Sequence, residues 1–209
     1  MHLFFLDFET TGLNPYQSEI VEVAVKKYGE KDSYDTLMKP KKLPPGLVTY
    51  IPPYITNING ITDQMIKQEA ISKSEAFYKV LQYIEKHSKE EGPIYIVSHN
   101  GTTFDFIFLK RALNDMKQSG SIPNIDLIDE YKIEMIDTLL LSRRLIPGRY
   151  QYSQPSLCKT FNIEIEGAHR AMNDVICLEQ LYNKLLESFQ KENQDNSIQL
   201  IQDYIKLRL

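Results

Sequence analysis

Residues 3–6, near the start of the chain, are all apolar and show no alternation with polar positions. Such a run is typical of a strand covered on both faces, so it predicts a buried central strand. Successive side chains of a strand point to opposite faces, which places Asp7 and Glu9 on one face and Phe8 on the other. Two carboxylates that share a partly apolar site are costly unless a cation neutralises them. The pair therefore indicates half of a metal site, although a solvated strand end explains it equally well.

Further strands are predicted from short patterned segments. Residues 19–25 alternate polar and apolar in part, and together with 32–39 they predict a meander that follows the first strand. The next stretch, 40–53, contains five prolines and predicts an irregular connection. A β-branched apolar run at 94–98 predicts another buried strand, and 135–140 predicts a strand or a strand-to-helix junction.

Helices are predicted from caps and from apolar residues at helical spacing. Thr62 is a candidate cap of a short helix, and Ser72 with Glu75 has capping-box spacing before a second helix. Later apolar stripes predict helices over residues 104–117, 157–161 and 171–189, and loops are expected at 120–125 and 147–155. The polar stretch 190–196 predicts a break, after which 197–209 carries the apolar spacing of a final amphipathic helix.

The order of these elements predicts one three-layer α/β domain. Strands and helices alternate after the initial meander, which favours a mixed central sheet flanked by helices. The domain is expected to cover residues 1–189, and 190–209 are expected to form a polar linker and an amphipathic helix that packs on the same domain. A chain of 209 residues is long enough for such a domain to bury about 70% of its unfolded surface.

Composition narrows the setting without deciding the function. The chain has no apolar run of about 18 residues and no basic-then-apolar leader, so we expect an intracellular protein with no membrane partner. Cys158 and Cys177 lack zinc-site or redox-pair spacing and are typical of core thiols in a reducing compartment. The net charge of −4 argues against a polyanionic partner such as nucleic acid. Two bound divalent cations would cancel that charge, so it does not exclude such a partner.

Three more polar residues accompany the opening pair. Asp105 stands at the start of the helix predicted at 104–117, and Asp174 lies near the start of the last long helix, five residues after His169. A carboxylate at a helix N-terminus is stabilised by the helix dipole, so each aspartate is also explained as a capping charge. His169 is equally well explained as a surface residue.

Together these segments resemble the DEDDh group of 3′–5′ exonucleases, which have a ribonuclease H-like fold. The similarity covers three motifs in order: Asp7-x-Glu9-Thr-x-Gly, then His99-Asn100 followed by Asp105 in a Phe-Asp-x-x-x-Leu setting, then His169-x-Ala-x-x-Asp174. The segments Asn59-Gly-Ile-Thr, Asp137-Thr138 and Ser156-Leu-Cys also resemble the family, so the likeness spans roughly residues 3 to 187. The second motif is most similar to the three-prime repair exonucleases.

The resemblance implies a metal-dependent enzyme that releases nucleoside 5′-monophosphates from 3′ ends. Asp7, Glu9 and Asp174 would hold one Mg²⁺ or Mn²⁺, and Asp7 with Asp105 would hold a second. Carboxylate oxygens suit such hard ions, and two ions can stabilise the attacking and leaving oxygens of phosphoryl displacement. His169 would be the general base, since an ordinary histidine pKa of about 6.5 lets it accept a proton near neutral pH.

The resemblance also implies contacts to the terminal nucleotide. Thr10 would hydrogen-bond to it, Leu13 would pack on its base, Ile58 or Ile61 would be an opposing wedge, and Asn100 would lie against the strand. Core packing explains either isoleucine equally well. Other candidates for phosphate contact or base stacking, most of them explained equally well as ordinary exposed side chains, are Arg143, Arg144, Arg149, Arg170, Tyr150 and Tyr152. Two positions depart from the family: Phe104 replaces a common tyrosine and Asn59 replaces a common histidine.

The expected substrate is a nucleic acid with a free 3′ end, single-stranded or frayed, and DNA is preferred over RNA. An exoribonuclease with the same site is the alternative enzyme, and a contact to the 2′-hydroxyl would distinguish the two. A non-catalytic nucleic-acid-binding or partner-docking subunit, with the C-terminal helix as its interface, is the alternative of another class. Such a subunit has no need of the five polar site residues. The sequence leaves the oligomeric state open and is compatible with a homodimer.

Overall fold

A computed structural model describes residues 2–41, 51–88, 92–120, 133–165, 167, 169–193 and 207–208. The described strands form a six-stranded sheet in the order β3-β2-β1-β4-β5-β6. Their bounds are β1 His2–Thr10, β2 Ile20–Lys27, β3 Tyr34–Leu37, β4 Ile94–Ser98, β5 Glu134–Asp137 and β6 Leu207–Arg208. The pairs β1–β4 and β4–β5 are parallel, whereas β1–β2, β2–β3 and β5–β6 are antiparallel. The predicted mixed sheet with a central first strand is confirmed.

The described helices are α1 Pro53–Asn59, α2 Asp63–Glu69, α3 Lys73–His87, α4 Asp105–Ser119, α5 Thr138–Leu145, α6 Gln154–Thr160 and α7 Ala171–Asn193. Both predicted caps are present, because Met65 N donates to Thr62 Oγ1 and Glu75 N donates to Ser72 Oγ, each over 3.2 Å. Helix α1 lies partly in the region predicted as an irregular connection. Pro53 is its first residue, a position where the missing N–H costs nothing, so the proline was also a helix signal.

The side chains of β1 divide between two helical layers. Phe4, Leu6 and Phe8 lie in a core cluster with the apolar faces of α3 and α4. Leu3 and Phe5 point the other way, into a cluster with α5, α6 and α7. These clusters confirm the three-layer architecture. By strand alternation Asp7 and Glu9 follow Leu3 and Phe5, so they lie on the face that α7 covers.

Helices α1 and α2 form a smaller core against β2 and β3. This cluster contains the fully buried Ile61 and Ile66 together with Val21 of β2 and Leu37 of β3. It holds the two short helices beside the end of β1. From that position the last residue of α1 reaches a carboxylate of β1.

The C-terminal part of the chain differs from the prediction. Helix α7 continues to Asn193 instead of ending at residue 189, since the polar residues 190–193 include good helix formers. Leu207 and Arg208 pair with Met135 and Glu134 of β5, so the prediction of helix is wrong for these two residues. The unpaired edge of β5 offers backbone hydrogen bonds to an extended segment, which outweighs a helical pattern. Residues 194–206, where most of the predicted linker and helix fall, lie outside the described residues.

Other predicted connections and junctions were found as follows. Strand β5 ends at Asp137 and α5 begins at Thr138, which confirms a strand-to-helix junction within 135–140. Helix α6 begins at Gln154, three residues before the predicted start at 157. The loop predicted at 120–125 lies outside the described residues except for Gly120, whose φ of 61° ends α4. No helix in the described ranges is both long and apolar enough to cross a membrane.

Candidate active site

Three carboxylates meet at the end of β1. Oxygens of Asp7, Glu9 and Asp174 lie within 4.8 Å of one another, and all three side chains are half-buried. Alternation along β1 puts Asp7 and Glu9 on the same face, and the first turn of α7 carries Asp174 to that face. The structure thus brings together three of the four predicted metal ligands.

Asp105 contacts the same strand through the backbone of Phe8. It is buried, it begins α4, and its Oδ1 accepts a hydrogen bond from Phe8 N over 3.2 Å. Asp105 is not part of the group of three, but its charge is close enough to raise the pKa of Asp7. The structure therefore places the fourth predicted ligand close to Asp7, and the charge of Glu9 in turn raises the pKa of Asp105.

Asp7, Glu9, Asp105 and Asp174, here called the acidic group, carry more negative charge than their burial favours. Burial raises the pKa of Asp7 well above its ordinary value, and the charges of Asp105, Asp174 and Glu9 raise it further. Burial also raises the pKa of Glu9 to about 7, that of Asp105 to about 8, and that of Asp174 to a lesser degree. A divalent cation would relieve both the repulsion and the cost of burial. Hard oxygen donors in this number fit Mg²⁺ or Mn²⁺.

Glu9 is held by a residue to which the sequence assigned no role. Asn59, the last residue of α1, is buried, and its Nδ2 donates to Glu9 Oε2 over 3.0 Å. Its Oδ1 accepts from Ile61 N, also over 3.0 Å, so both ends of the amide are used. This hydrogen bond lowers the pKa of Glu9 and fixes one oxygen of its carboxylate. Because the two residues are fifty positions apart, only the amide's departure from the family's usual histidine marked the position.

His169 lies beside Asp174 but its ring does not enter the acidic group. Its backbone N–H donates to Asp174 Oδ2 over 3.1 Å, and its φ of 66° is in the left-handed region. The side chain is exposed. Nearby, Asn173 Nδ2 donates to Gly167 O over 2.8 Å, which ties the segment before α7 to that helix.

Glu22 and Arg170 form an ion pair next to Glu9 in the sheet. Glu22 of β2, opposite Glu9 in the register, is 2% exposed and accepts from Arg170 Nε at 3.1 and 3.2 Å and from Arg170 Nη2 at 2.6 Å. Ala171 N donates to the same carboxylate over 3.0 Å. The guanidinium of Arg170 is therefore engaged with Glu22 through Nε and Nη2, while its side chain is still 40% exposed. The pair joins β2 to the start of α7, and no local sequence pattern indicated it.

The second motif forms a loop that is held by Asp137. Buried Asp137 accepts from Asn100 N, Thr102 N and Thr102 Oγ1 over 2.6 to 3.0 Å. Asn100 is exposed with a φ of 60°, and its Oδ1 accepts from Thr103 Oγ1 over 2.9 Å. Burial lowers the pKa of His99, whose ring nitrogens lie 2.9 Å from Thr138 Oγ1 and 2.8 Å from Tyr152 O. His99 is thus a structural residue of this loop.

The predicted substrate residues differ in exposure. Leu13 is 83% exposed and Ile58 is 53% exposed, whereas Ile61 is fully buried, which leaves Ile58 as the candidate wedge. Thr10 is buried, and its hydroxyl donates to Gly12 O over 2.7 Å. That donor is consequently already used within the loop.

The remaining candidates for contact with a nucleic-acid strand differ in whether they are exposed or already make contacts within the protein. Tyr150 is 97% exposed, whereas Arg149 donates to Thr160 Oγ1 over 2.6 Å. The guanidinium of Arg143 lies 5.9 Å from the centre of the Tyr152 ring. The two cysteines are free and buried, as predicted.

Comparison with known proteins places this site in a family. The model of the RNase T family, described as an exonuclease, matches residues 4–182. Exonuclease DPD1, chloroplastic/mitochondrial, of Arabidopsis thaliana is 30% identical over 190 residues, which cover 86% of this chain and 54% of that protein. The DNA polymerase III subunit epsilon of Treponema pallidum is 26% identical over 193 residues, which cover 90% of this chain and 77% of that protein. The chain thus spans about half the length of the Arabidopsis relative.

Solved structures confirm the ribonuclease H-like fold. Escherichia coli Exonuclease I in complex with a dT13 oligonucleotide superposes with a TM-score of 0.68 at 19% identity, covering 91% of this chain and 42% of that one. The family match extends over most of the chain and includes β1, α4 and the first turn of α7, which carry the acidic group. The chain therefore belongs to the RNase T family of exonucleases.

Proposed function

We propose that the chain is a metal-dependent 3′–5′ exonuclease that releases nucleoside 5′-monophosphates. The observation that carries the proposal is the meeting of Asp7, Glu9 and Asp174 within 4.8 Å at the end of β1. A structural role gives no reason to collect three carboxylates there, since their charges raise one another's pKa values. In a family of exonucleases, this group is the expected place for phosphodiester hydrolysis.

The acidic residues would hold two divalent cations, Mg²⁺ or Mn²⁺. Asp7, Glu9 and Asp174 would ligate one, and Asp7 with Asp105 the other. When bound, the cations neutralise charge on the phosphate and stabilise the attacking and leaving oxygens. Asn59 leaves one oxygen of Glu9 for a cation, because it occupies the other.

His169 would act as the general base. Its backbone is tied to Asp174 and its ring is exposed, so the ring can turn toward a strand bound over the acidic group. It would accept a proton from the attacking water as the water oxygen bonds to phosphorus. The bond from phosphorus to the 3′-oxygen breaks and that oxygen takes up a proton from solvent water, which leaves a 3′-hydroxyl on the shortened strand and a 5′-monophosphate as product.

The substrate would be a single-stranded or frayed 3′ end, and DNA in preference to RNA. Leu13 and Ile58 are exposed aliphatic side chains in segments next to the site, and they would lie on either side of the terminal nucleotide. Thr10 and Asn100 would complete its surroundings. The relatives named DNA polymerase III PolC-type and DNA polymerase III subunit epsilon support DNA.

The decisive experiment compares matched DNA and RNA oligonucleotides, labelled at the 5′ end, with wild type, Asp7→Ala and His169→Ala. We expect a ladder of products shortened from the 3′ end, faster on DNA, that EDTA or Asp7→Ala abolishes. His169→Ala should remove most turnover while calorimetry still detects Mn²⁺ binding. Full activity of Asp7→Ala would refute the proposal, and faster digestion of RNA would instead identify an exoribonuclease. A non-catalytic binding subunit would release no nucleotide from either polymer.

A further inference from the structure

Four of the nine large exposed apolar side chains in the described residues lie in the loop after β1 and on α1, the two segments that border the acidic group. Of those in the described residues, Leu13 and Tyr16 lie in the loop after β1, and Tyr54 and Ile58 lie on α1. Scattered exposed apolar residues need no explanation, but a group that borders a charged site indicates a binding surface. Leu13 and Ile58 already have a role in the proposed function, whereas Tyr54 has none.

Helix α1 is attached to the site at both of its ends. At its C-terminal end, Asn59 donates to Glu9 Oε2. Near its N-terminal end, the hydroxyl oxygen of Tyr54 lies 3.6 Å from the position that a Cβ atom on Gly12 would take. The phenol tip thus lies against the backbone of Gly12, directly beside Leu13.

Tyr54 is consequently a largely exposed aromatic ring whose hydroxyl end lies near Gly12. The side chain is 62% exposed although its hydroxyl lies against Gly12. Tyr54 and Ile58 are four positions apart in α1, so their side chains are neighbours on one face of the helix. A tyrosine with a restrained ring offers a large contact area and loses little conformational entropy on binding.

We propose that Tyr54 stacks on the base of the nucleotide next to the terminal one. This inference rests on the proposed function. Asn59 places the C-terminal end of α1 at the acidic group, Ile58 adjoins it, and Tyr54 lies about 6 Å farther along the helix axis. The terminal nucleotide would lie between Leu13 and Ile58, so the face of Tyr54 meets the next base along the strand. Stacking uses the π-face that every base has, and it therefore tolerates any sequence.

The position of Tyr54 also limits which 3′ ends of a strand can be bound. A base that is paired and stacked inside a duplex cannot turn its face to a protein side chain. The strand must therefore leave two nucleotides unpaired before it can be bound. This predicts that a fully paired blunt end is cut more slowly than an end with two unpaired nucleotides.

A double-mutant cycle between Tyr54 and the substrate tests the proposal. Wild type, Tyr54→Ala and Tyr54→Phe are assayed for kcat/KM on a DNA strand with all its bases, on one lacking the base next to the terminal one, and on one lacking the terminal base. Base–aromatic stacking corresponds to a loss of about 5- to 150-fold when it is removed. We expect that loss when wild type meets the strand without the second base, and an equal loss for Tyr54→Ala on the intact strand.

The combination of both changes should cause no further loss, and Tyr54→Phe should retain the wild-type response. Tyr78→Ala is the matched control, because Tyr78 is also an exposed tyrosine but lies on α3. Binding of the same strands in Ca²⁺, measured by fluorescence anisotropy, should change in parallel with kcat/KM.

The outcomes separate the two proposals. If Tyr54→Ala stays as sensitive to the missing second base as wild type, or loses its response to the terminal base instead, the stacking assignment is wrong. An unchanged response to every strand would leave Tyr54 as a surface for another macromolecule and would equally overturn it. If wild type degrades no strand at all, the proposed exonuclease function itself fails.

Discussion

Replacing Arg170 by methionine should destabilise the domain strongly, although Arg170 is partly exposed. The change removes three close contacts to Glu22, whose side chain is 2% exposed, and leaves Ala171 N as the remaining donor described for that carboxylate. A buried charge that loses its partner costs about 3 to 5 kcal/mol. The Arg170 side chain is 40% exposed, so water can partly replace it and the lower figure, about 3 kcal/mol, applies.

Urea unfolding and thermal melting would measure this effect. For a domain of this size, about 3 kcal/mol corresponds to a melting temperature lower by roughly 6 to 12 °C. Lys110→Met, an exposed substitution on α4, is the control and should leave the free energy of unfolding within about 0.5 kcal/mol of wild type. Adding Glu22→Gln to Arg170→Met removes the unpaired charge and keeps an acceptor for Ala171 N. The double variant should therefore be more stable than Arg170→Met by about 1 to 2 kcal/mol.

Two results would refute the reasoning. If Arg170→Met unfolds at the wild-type urea concentration, the carboxylate of Glu22 does not depend on its partner. If the double variant is less stable than Arg170→Met, the cost comes from lost packing and not from an isolated charge. In the first case, the junction between β2 and α7 would need another explanation.

Two further predictions concern the acidic group itself. Asn59→Ala should weaken Mn²⁺ binding, measured by calorimetry, by about 10-fold or more because Glu9 loses the donor that orients it. Asn57→Ala, an exposed substitution on the same helix, is the control and should bind Mn²⁺ as wild type does. Equal Mn²⁺ affinities of Asn59→Ala and wild type would contradict this prediction. The pKa values of Glu9 and Asp105 are raised in the folded state to about 7 and about 8, so folding takes up protons above the ordinary carboxylate range. In EDTA the stability from these protons is present at low pH and is lost as the pH rises through about 5 to 8. Melting temperatures measured across this pH range should show the decline, and added Mg²⁺ should stabilise the protein most at the alkaline end. Asp105→Asn should make the melting temperature depend less steeply on pH, and an unchanged pH dependence in this variant would contradict the prediction.

The local features of the site could be predicted because they depend on neighbouring residues. The apolar run before Asp7 marked a buried strand, and alternation alone placed Glu9 on the same face. The starts of α4 and α7 followed from apolar spacing, which put Asp105 and Asp174 in first turns. Helix α1 was missed because its prolines were interpreted only as breakers, although a proline at the first helical position favours a helix.

The partners of these residues could not be predicted, because each contact joins distant segments. Asn59 reaches Glu9 only because α1 and α2 pack against β2 and β3, and Glu22 meets Arg170 only because α7 crosses the sheet beside β2. No local pattern indicated that Arg170, a candidate for phosphate contact, pairs with a buried carboxylate. Asp137 likewise accepts hydrogen bonds from a loop that precedes it by more than thirty residues.

The sequence by itself determined the central strand, the faces of its carboxylates, the helix starts that carry the other site residues and the family to which these motifs belong. Periodicity and capping depend on residues close together in the chain, so they can be predicted from a single sequence. Only the tertiary structure decided that Asp174 comes within 4.8 Å of Asp7 and Glu9 while Asp105 accepts a hydrogen bond from Phe8 N, and that Ile58 is exposed while Ile61 is buried. The physical reason is that these distances and exposures depend on how α1, α4 and α7 pack on the sheet, and packing sums contacts between segments far apart in the chain.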